Sequence, residues 1–176
     1  MSFTAQTFRR TMAHFATGVT VVTTVFDGTF YGLTVNAFCS VSLNPSLVLV
    51  SIEQSSQTHA MMQKSYIYAV NILTAQQQEL SDYFARKDTN GSKSFSHIKL
   101  HTAATGAPLF DEALAQIDCR VVTTYEGGDH TLFLGEVVDV NYNDAMSAVG
   151  QEVQPLLYFR SKYTSTQLEK SFSKSI

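Results

Sequence analysis

The stretch from Tyr31 to Thr58, YGLTVNAFCSVSLNPSLVLVSIEQSSQT, constrains the fold more than any other part of the chain. Two β-like runs, Tyr31 to Val41 and Leu47 to Ile52, flank Asn44-Pro45. Pro45 has no N–H and a fixed φ, which puts it in a turn and not in a paired strand. Short polar groups sit among the aliphatics: Thr34, Asn36, Ser40, Ser42, Ser51, then Ser55, Ser56 and Thr58. Strands facing only a core have no need of them, and Asn is depleted from strands. They suit a surface that hydrogen-bonds a flat polar ligand and, beyond it, an anion.

The rest of the chain extends this β pattern. Phe8, Met12 and Phe15 recur at helical spacing, which predicts an amphipathic N-terminal helix capped by Thr4 and stopped near Gly18. Val19 to Phe26 (VTVVTTVF) reads as a strand, and Asp27-Gly28 as a hairpin turn leading into the next. Gln57 to Lys64 reads as a short helix capped by Ser56 or Thr58, and a capped helix N-terminus is a ready anion site. Tyr66 to Leu73 is a further strand, followed by a helix over Ala75 to Arg86 capped by Thr74. Lys87 to Ser96 (KDTNGSKSFS) and Thr102 to Leu109 read as loops, the first with Arg86, Lys87 and Lys93 clustered about it. Ala115 to Tyr125 and Thr131 to Tyr142 form a long hairpin around EGGDH, and Pro155 to Tyr163 is a short strand. About seven strands with few helices between them disfavour a doubly wound sheet and favour an antiparallel barrel with helices at its ends.

Composition narrows the function classes. A chain of 176 residues makes one domain, expected over 1–166 with a loosely ordered tail over 167–176. A formal net charge of −3 argues against nucleic acid as a partner. No apolar run is long enough to cross a membrane and no secretion signal is visible, so the expected location is cytoplasmic. Cys39 and Cys119 read as reduced, largely buried thiols. There is no GxGxxG, P-loop, HExxH, metal-ligand pair or GxSxG elbow, so no metal is expected. No nucleophile–base arrangement stands out, and the polar groups suit holding a cofactor that carries the chemistry itself.

Four segments in order carry a resemblance: Phe15 to Thr23 (FATGVTVVT), Gly32 to Pro45 (GLTVNAFCSVSLNP), Gly128-Asp129-His130, and Pro155 to Tyr158 (PLLY). Together they resemble the flavin reductase family of two-component monooxygenases, short-chain NAD(P)H:flavin oxidoreductases with a mainly β, FMN-binding split barrel. The resemblance runs from about Phe8 to Tyr163. It departs at Cys39, where the family usually has Thr or Ser, while Ser40 and Ser42 keep the hydroxyls.

The resemblance implies FMN or FAD as the flavin, NADH or NADPH as hydride donor, a homodimer, and a separate flavin-dependent monooxygenase reached by diffusion of reduced flavin. It implies that the isoalloxazine lies along Thr34, Val35, Asn36 and Ala37, where backbone donors would stabilise the charge that develops on hydride arrival. The flavin phosphate would sit near Ser51, Ser55, Ser56 and Thr58, closed by Arg86 or Lys87. Gly128, Asp129 and His130, with Tyr158, would line the nicotinamide site; His130 is the catalytic residue, acting by positioning, since hydride transfer needs no general base. A non-catalytic flavin- or haem-binding carrier and a pyridoxamine-phosphate-oxidase-like enzyme are the alternatives on the same barrel.

Overall fold

The protein is described here by a computed structural model that covers residues 3–87, 93–143 and 153–166; the expected tail over 167–176 lies outside them. Helix α1 (Ala5–Met12) is capped by Thr4, whose hydroxyl accepts from the Thr7 amide at 3.1 Å. It ends at Met12 and not near Gly18, because β1 (Thr17–Gly18) pairs with β11 (Leu157–Phe159) and draws the chain out of the helix. Then come β2 (Thr20–Phe26), β3 (Thr29–Val35), β4 (Phe38–Leu43), β5 (Ser46–Glu53), α2 (Gln57–Ser65) and β6 (Ile67–Ile72). A 3-10 turn over Ala75–Gln77 leads into α3 (Gln78–Ala85), and β7 (Leu100–Thr102), β8 (Pro108–Phe110), β9 (Ala115–Gly127), β10 (His130–Tyr142) and β12 (Lys162–Thr164) complete the chain. The expected single helix over 75–86 therefore starts as a 3-10 turn, closed by a capping box between Thr74 and Gln77.

Seven strands form one antiparallel sheet in the order β3-β2-β6-β9-β10-β5-β4. Its two edge strands, β3 and β4, are consecutive in the chain, so the sheet curls until its ends approach. On one side of that gap the β4–β5 ladder runs one step past β4, where the Ser51 amide donates to the Ala37 carbonyl at 3.0 Å. This is a split barrel, closed except along one seam between β3 and the β4–β5 ribbon. Asp27 and Gly28 both take positive φ (50° and 70°), the turn whose twist matches a two-residue hairpin.

Strand alternation decides what faces inward. On β5, Val48, Val50 and Ile52 are buried in the barrel with Val22, Val35, Tyr68, Val70, Cys119 and Phe133, and Met62 of α2 plugs one end. Leu47, Leu49, Ser51 and Glu53 face the other way. Strand β2 is buried on both faces. Val22 points into the barrel, whereas Val19 and Val21 pack with Leu73, Phe84, Phe110 and Leu156 in a second core beneath α3. That explains the unbroken VTVV run.

Three further expectations need correction. Residues 102–109 are not a plain loop: β7 and β8 pair as a small ribbon, anchored where the buried Asn71 carboxamide oxygen accepts from the Phe110 amide at 2.7 Å. Residues 155–163 are not one strand; Arg160 and Ser161 both adopt positive φ and reverse the chain between β11 and β12. Cys39 is exposed on the edge strand β4, and only Cys119 is buried.

Candidate active site

Two clefts and one turn bear on the sequence-derived site. The first, about 800 Å³ and mostly apolar, opens along the seam. Its floor is Asn36, Ala37 and Phe38, where the chain passes from β3 to β4. Leu49 and Ser51 of β5 form one wall, and Thr17, Gly18 and Thr20 the other. Asn36 donates from its carboxamide to the Thr17 hydroxyl at 3.2 Å, which orients it across the cleft mouth. Met12 and Phe15 overhang the rim.

The second cleft, about 390 Å³, continues the same seam toward α2. Leu33 and Glu53 lie on the two sides of the seam, and Glu53 is two residues, about 7 Å, along β5 from Ser51. Ser55, Ser56, Gln57 and Thr58 line one side, at the N-terminus of α2; Arg86, Lys87 and Lys93 line the other. Ser56 is the N-cap, its hydroxyl accepting from the His59 amide at 3.1 Å. The amides of Gln57 and Thr58, in the first turn, have no intrahelical carbonyl to reach. Three cations face a helix N-terminus flanked by hydroxyls, an electrostatic arrangement that favours an anion. Lys93 is positioned by its ammonium donating to the Phe84 carbonyl at 2.9 Å.

The third feature is the β9–β10 turn. Gly128 has φ +76°, which favours glycine there, and His130 and Asp129 share a hydrogen bond of 2.7 Å through Nδ1. That bond is the main reason the Asp129 carboxyl is held below its ordinary value. The turn is clamped to the end of β5: the Gln54 amide donates to the Asp129 carbonyl at 3.0 Å, and its side-chain amide to the His130 carbonyl at 3.3 Å. His130 is paired in register with Glu53, so the turn stands beside the second cleft.

The structure brings together Asn36, Ala37 and Ser51 in one cleft and Ser55, Ser56, Thr58, Arg86 and Lys87 in the other. The remaining sequence-derived residues have other surroundings. The Thr34 hydroxyl donates to the Ser81 carbonyl at 2.6 Å and ties β3 to α3. Val35 buries its side chain in the barrel core, leaving only its backbone toward the seam. Ser40 is exposed on β4, and the Ser42 hydroxyl accepts from the Asn44 amide at 3.2 Å within the turn. Tyr158 is on the small β1-β11-β12 sheet, opposite Thr17, and meets the Tyr163 ring edge to face at 5.4 Å. Phe38, Leu49, Glu53 and Lys93 are cleft residues that the motif-based reading did not assign. For Leu49 and Glu53 the signal was the period of two along β5, which puts them on one face with Ser51.

Comparison with known proteins agrees with this architecture. A family model described as a flavin reductase like domain matches residues 12–167. The reductase component of a 4-nitrophenol 4-monooxygenase/4-nitrocatechol 2-monooxygenase from Rhodococcus opacus is 39% identical over 156 residues, covering 89% of this chain and 78% of its own. An NADH-dependent FAD reductase from Streptomyces globisporus is 39% identical over 132 residues, 74% of this chain and 72% of its own. The solved structure of the flavin reductase PheA2 superposes with a TM-score of 0.80 at 43% identity, covering 93% of this chain and 99% of that one.

Proposed function

The chain belongs to the flavin reductase family, and from that premise we propose that it oxidises NADH, delivers the hydride to a flavin held along the barrel seam, and supplies the reduced flavin to a separate monooxygenase. The observation that carries the reading is the continuity of two unlike clefts along one seam, an apolar slot followed by a cationic, hydroxyl-lined pocket. An isoalloxazine fits the first and its ribityl phosphate the second, and the donor set suits both. Bound there, the flavin is the two-electron acceptor for the nicotinamide hydride.

The chain's own residues bind and orient. Backbone between Thr34 and Ala37 borders the polar edge of the ring, and Asn36 is fixed by Thr17 to present its amide there. Ser55, Ser56 and Thr58 offer hydroxyls and helix amides to the phosphate, while Arg86, Lys87 and Lys93 neutralise it. His130, steadied by Asp129 and by the Gln54 clamp, positions the dinucleotide; it moves no proton. Gly128 keeps the turn low, and Tyr158 supports Thr17 from behind the slot. In this reading Ser40 and Ser42 serve the edge strand and its turn.

A second copy of the chain completes the site. Phe15 is 70% exposed and Leu43 93% exposed, and Phe8, Met12 and Val41 are also uncovered beside the slot and along the β4 edge. Uncovered apolar side chains next to an unpaired strand edge are what a homodimer interface buries. No helix among the described residues is long and apolar enough to cross a membrane. The NADH requirement supports a cytoplasmic site of action. The reaction class we assign is NAD(P)H:flavin oxidoreductase, with NADH as donor.

The test is His130→Ala, with NADH turnover and FMN affinity measured together. The reading expects turnover to fall through a raised KM for NADH while FMN affinity holds. Unchanged turnover would remove His130 from the nicotinamide site, and a collapse of FMN affinity would transfer it to the flavin pocket.

A further inference from the structure

Residues 54–59, the link from β5 into the first turn of α2, serve two places at once. One side faces the cationic cleft, which Ser55, Ser56, Gln57 and Thr58 line. The other side grips the start of β10. The Gln54 amide donates to the Asp129 carbonyl at 3.0 Å and its carboxamide to the His130 carbonyl at 3.3 Å. His59 adds a third hold one residue further along, with Nε2 2.8 Å from the Thr131 hydroxyl.

This third hold differs from the other two because the helix itself makes it. Gln54 follows β5 directly, so its two bonds do not depend on where α2 sits; the His59 bond moves with the helix. The His59 amide donates to the Ser56 hydroxyl at 3.1 Å, which makes His59 part of the capped first turn. Consecutive helical residues point about 100° apart, so Thr58 lines the cationic cleft while the His59 ring reaches β10. The bond is shielded from water: His59 is 5% exposed and Thr131 6%, and the imidazole meets the Phe133 ring edge to face at 5.4 Å. Burial lowers the His59 pKa below 6.5, so the ring is neutral at pH 7, the form suited to a helix N-terminus and to a hydroxyl that can donate or accept. Thr131 directly follows His130, so a buried bond at Thr131 fixes the strand end from which His130 projects.

We propose that His59 is a positioning residue that couples the two binding sites: an anion drawn onto the first turn of α2 steadies the helix, and through the Thr131 hydroxyl the helix steadies the strand end that carries His130. The proposal rests on the placement of the flavin phosphate and of the dinucleotide given above. It makes a flavin with a phosphate a better partner for NADH binding than riboflavin, which has the same ring and no anion. His59 itself touches neither ligand.

The experiment measures kcat and KM for NADH with saturating FMN and with saturating riboflavin, in the wild type, Thr131→Val, His59→Leu, Thr131→Ser and His59→Gln. Thr131→Val keeps the shape and strand preference of the residue and removes the hydroxyl. His59→Leu cuts the same bond from the other end, so the test stands if one of the two fails to fold. Ser and Gln keep a group that hydrogen-bonds across the gap. Coupling through one buried hydrogen bond predicts a KM for NADH about fivefold lower with FMN than with riboflavin in the wild type. Thr131→Val and His59→Leu are expected to bring that ratio to within about twofold of one, by raising the KM measured with FMN while kcat holds within about twofold. Thr131→Ser and His59→Gln should keep most of it. A wild-type ratio near one, a ratio that survives in Thr131→Val or His59→Leu, or an equal loss in the Ser and Gln variants would overturn the proposal and leave both binding sites standing. A fall in kcat at unchanged KM would also overturn it, by making the bond part of the reacting geometry and not of dinucleotide binding. A wild type that oxidises NADH with neither flavin would overturn the parent reading along with this one.

Discussion

Gly32 is the point where core packing meets the cleft proposed to hold the flavin phosphate, and Gly32→Ala tests whether the two are coupled. Gly32 is buried on β3 and borders the cationic cleft at the N-terminus of α2. A Cβ built there would sit 2.7 Å from Cε1 and 2.9 Å from Cδ1 of Phe84, and 3.2 Å from the Phe95 ring. Phe84 cannot easily retreat. It is fully buried, with Phe110 stacked at 5.7 Å, Phe95 at 5.2 Å and Tyr83 at 5.2 Å. Forcing a methyl into such a site costs about 1–3 kcal/mol. At a urea dependence of about 2 kcal/mol/M, this lowers the unfolding midpoint by roughly 0.5–1.5 M. The displaced Phe84 also disturbs the end of α3 just before Arg86 and the carbonyl that holds Lys93, so FMN affinity should fall more than riboflavin affinity. Adding Phe84→Leu makes room, and the double variant should lose less stability than the sum of the two singles. A midpoint shift near zero, or strict additivity with Phe84→Leu, would refute the argument.

Ser56→Ala should cost about 1 kcal/mol through loss of the α2 cap, and weaken FMN while sparing riboflavin, read by denaturation and by flavin titration. Leu43→Lys on the β4 edge should shift the protein from dimer to monomer in analytical ultracentrifugation, without unfolding it, because Leu43 is already exposed in the single chain. His59 is buried, with Nε2 at 2.8 Å from the Thr131 hydroxyl, and burial lowers its pKa below the ordinary 6.5. The unfolded chain therefore binds a proton first as pH falls, and the stabilisation present above about 6.5 is lost as pH falls through the lower folded value. Urea midpoints measured from neutral pH downward should drop in the wild type and drop less in His59→Gln.

The barrel was legible because its strands advertise themselves. The β-branched run of β2, the Asp27-Gly28 turn, and the period of two along β5 and β10 each name an element and a face. The cap of α2 and the cations that share its cleft were legible too, since Ser56 lies where an N-cap must and the cations after α3 cluster in sequence. Residues whose roles depend on the partner they meet were not legible. Thr34 reads like a ligand-binding hydroxyl, yet it bonds the Ser81 carbonyl 47 positions away. Ser42 reads the same way and serves its own turn. The ribbons at 100–110 and 157–164 were hidden because three-residue strands carry no periodicity, and the stripe of Phe8, Met12 and Phe15 gave no sign that it lies uncovered.

The central claim is that NADH and a flavin react on this barrel, and the most direct measurement is aerobic NADH consumption by the purified protein with and without added flavin. The account predicts little oxidation of NADH alone and sustained turnover once FMN or FAD is supplied. NADH left untouched in the presence of FMN, FAD and riboflavin alike would contradict it.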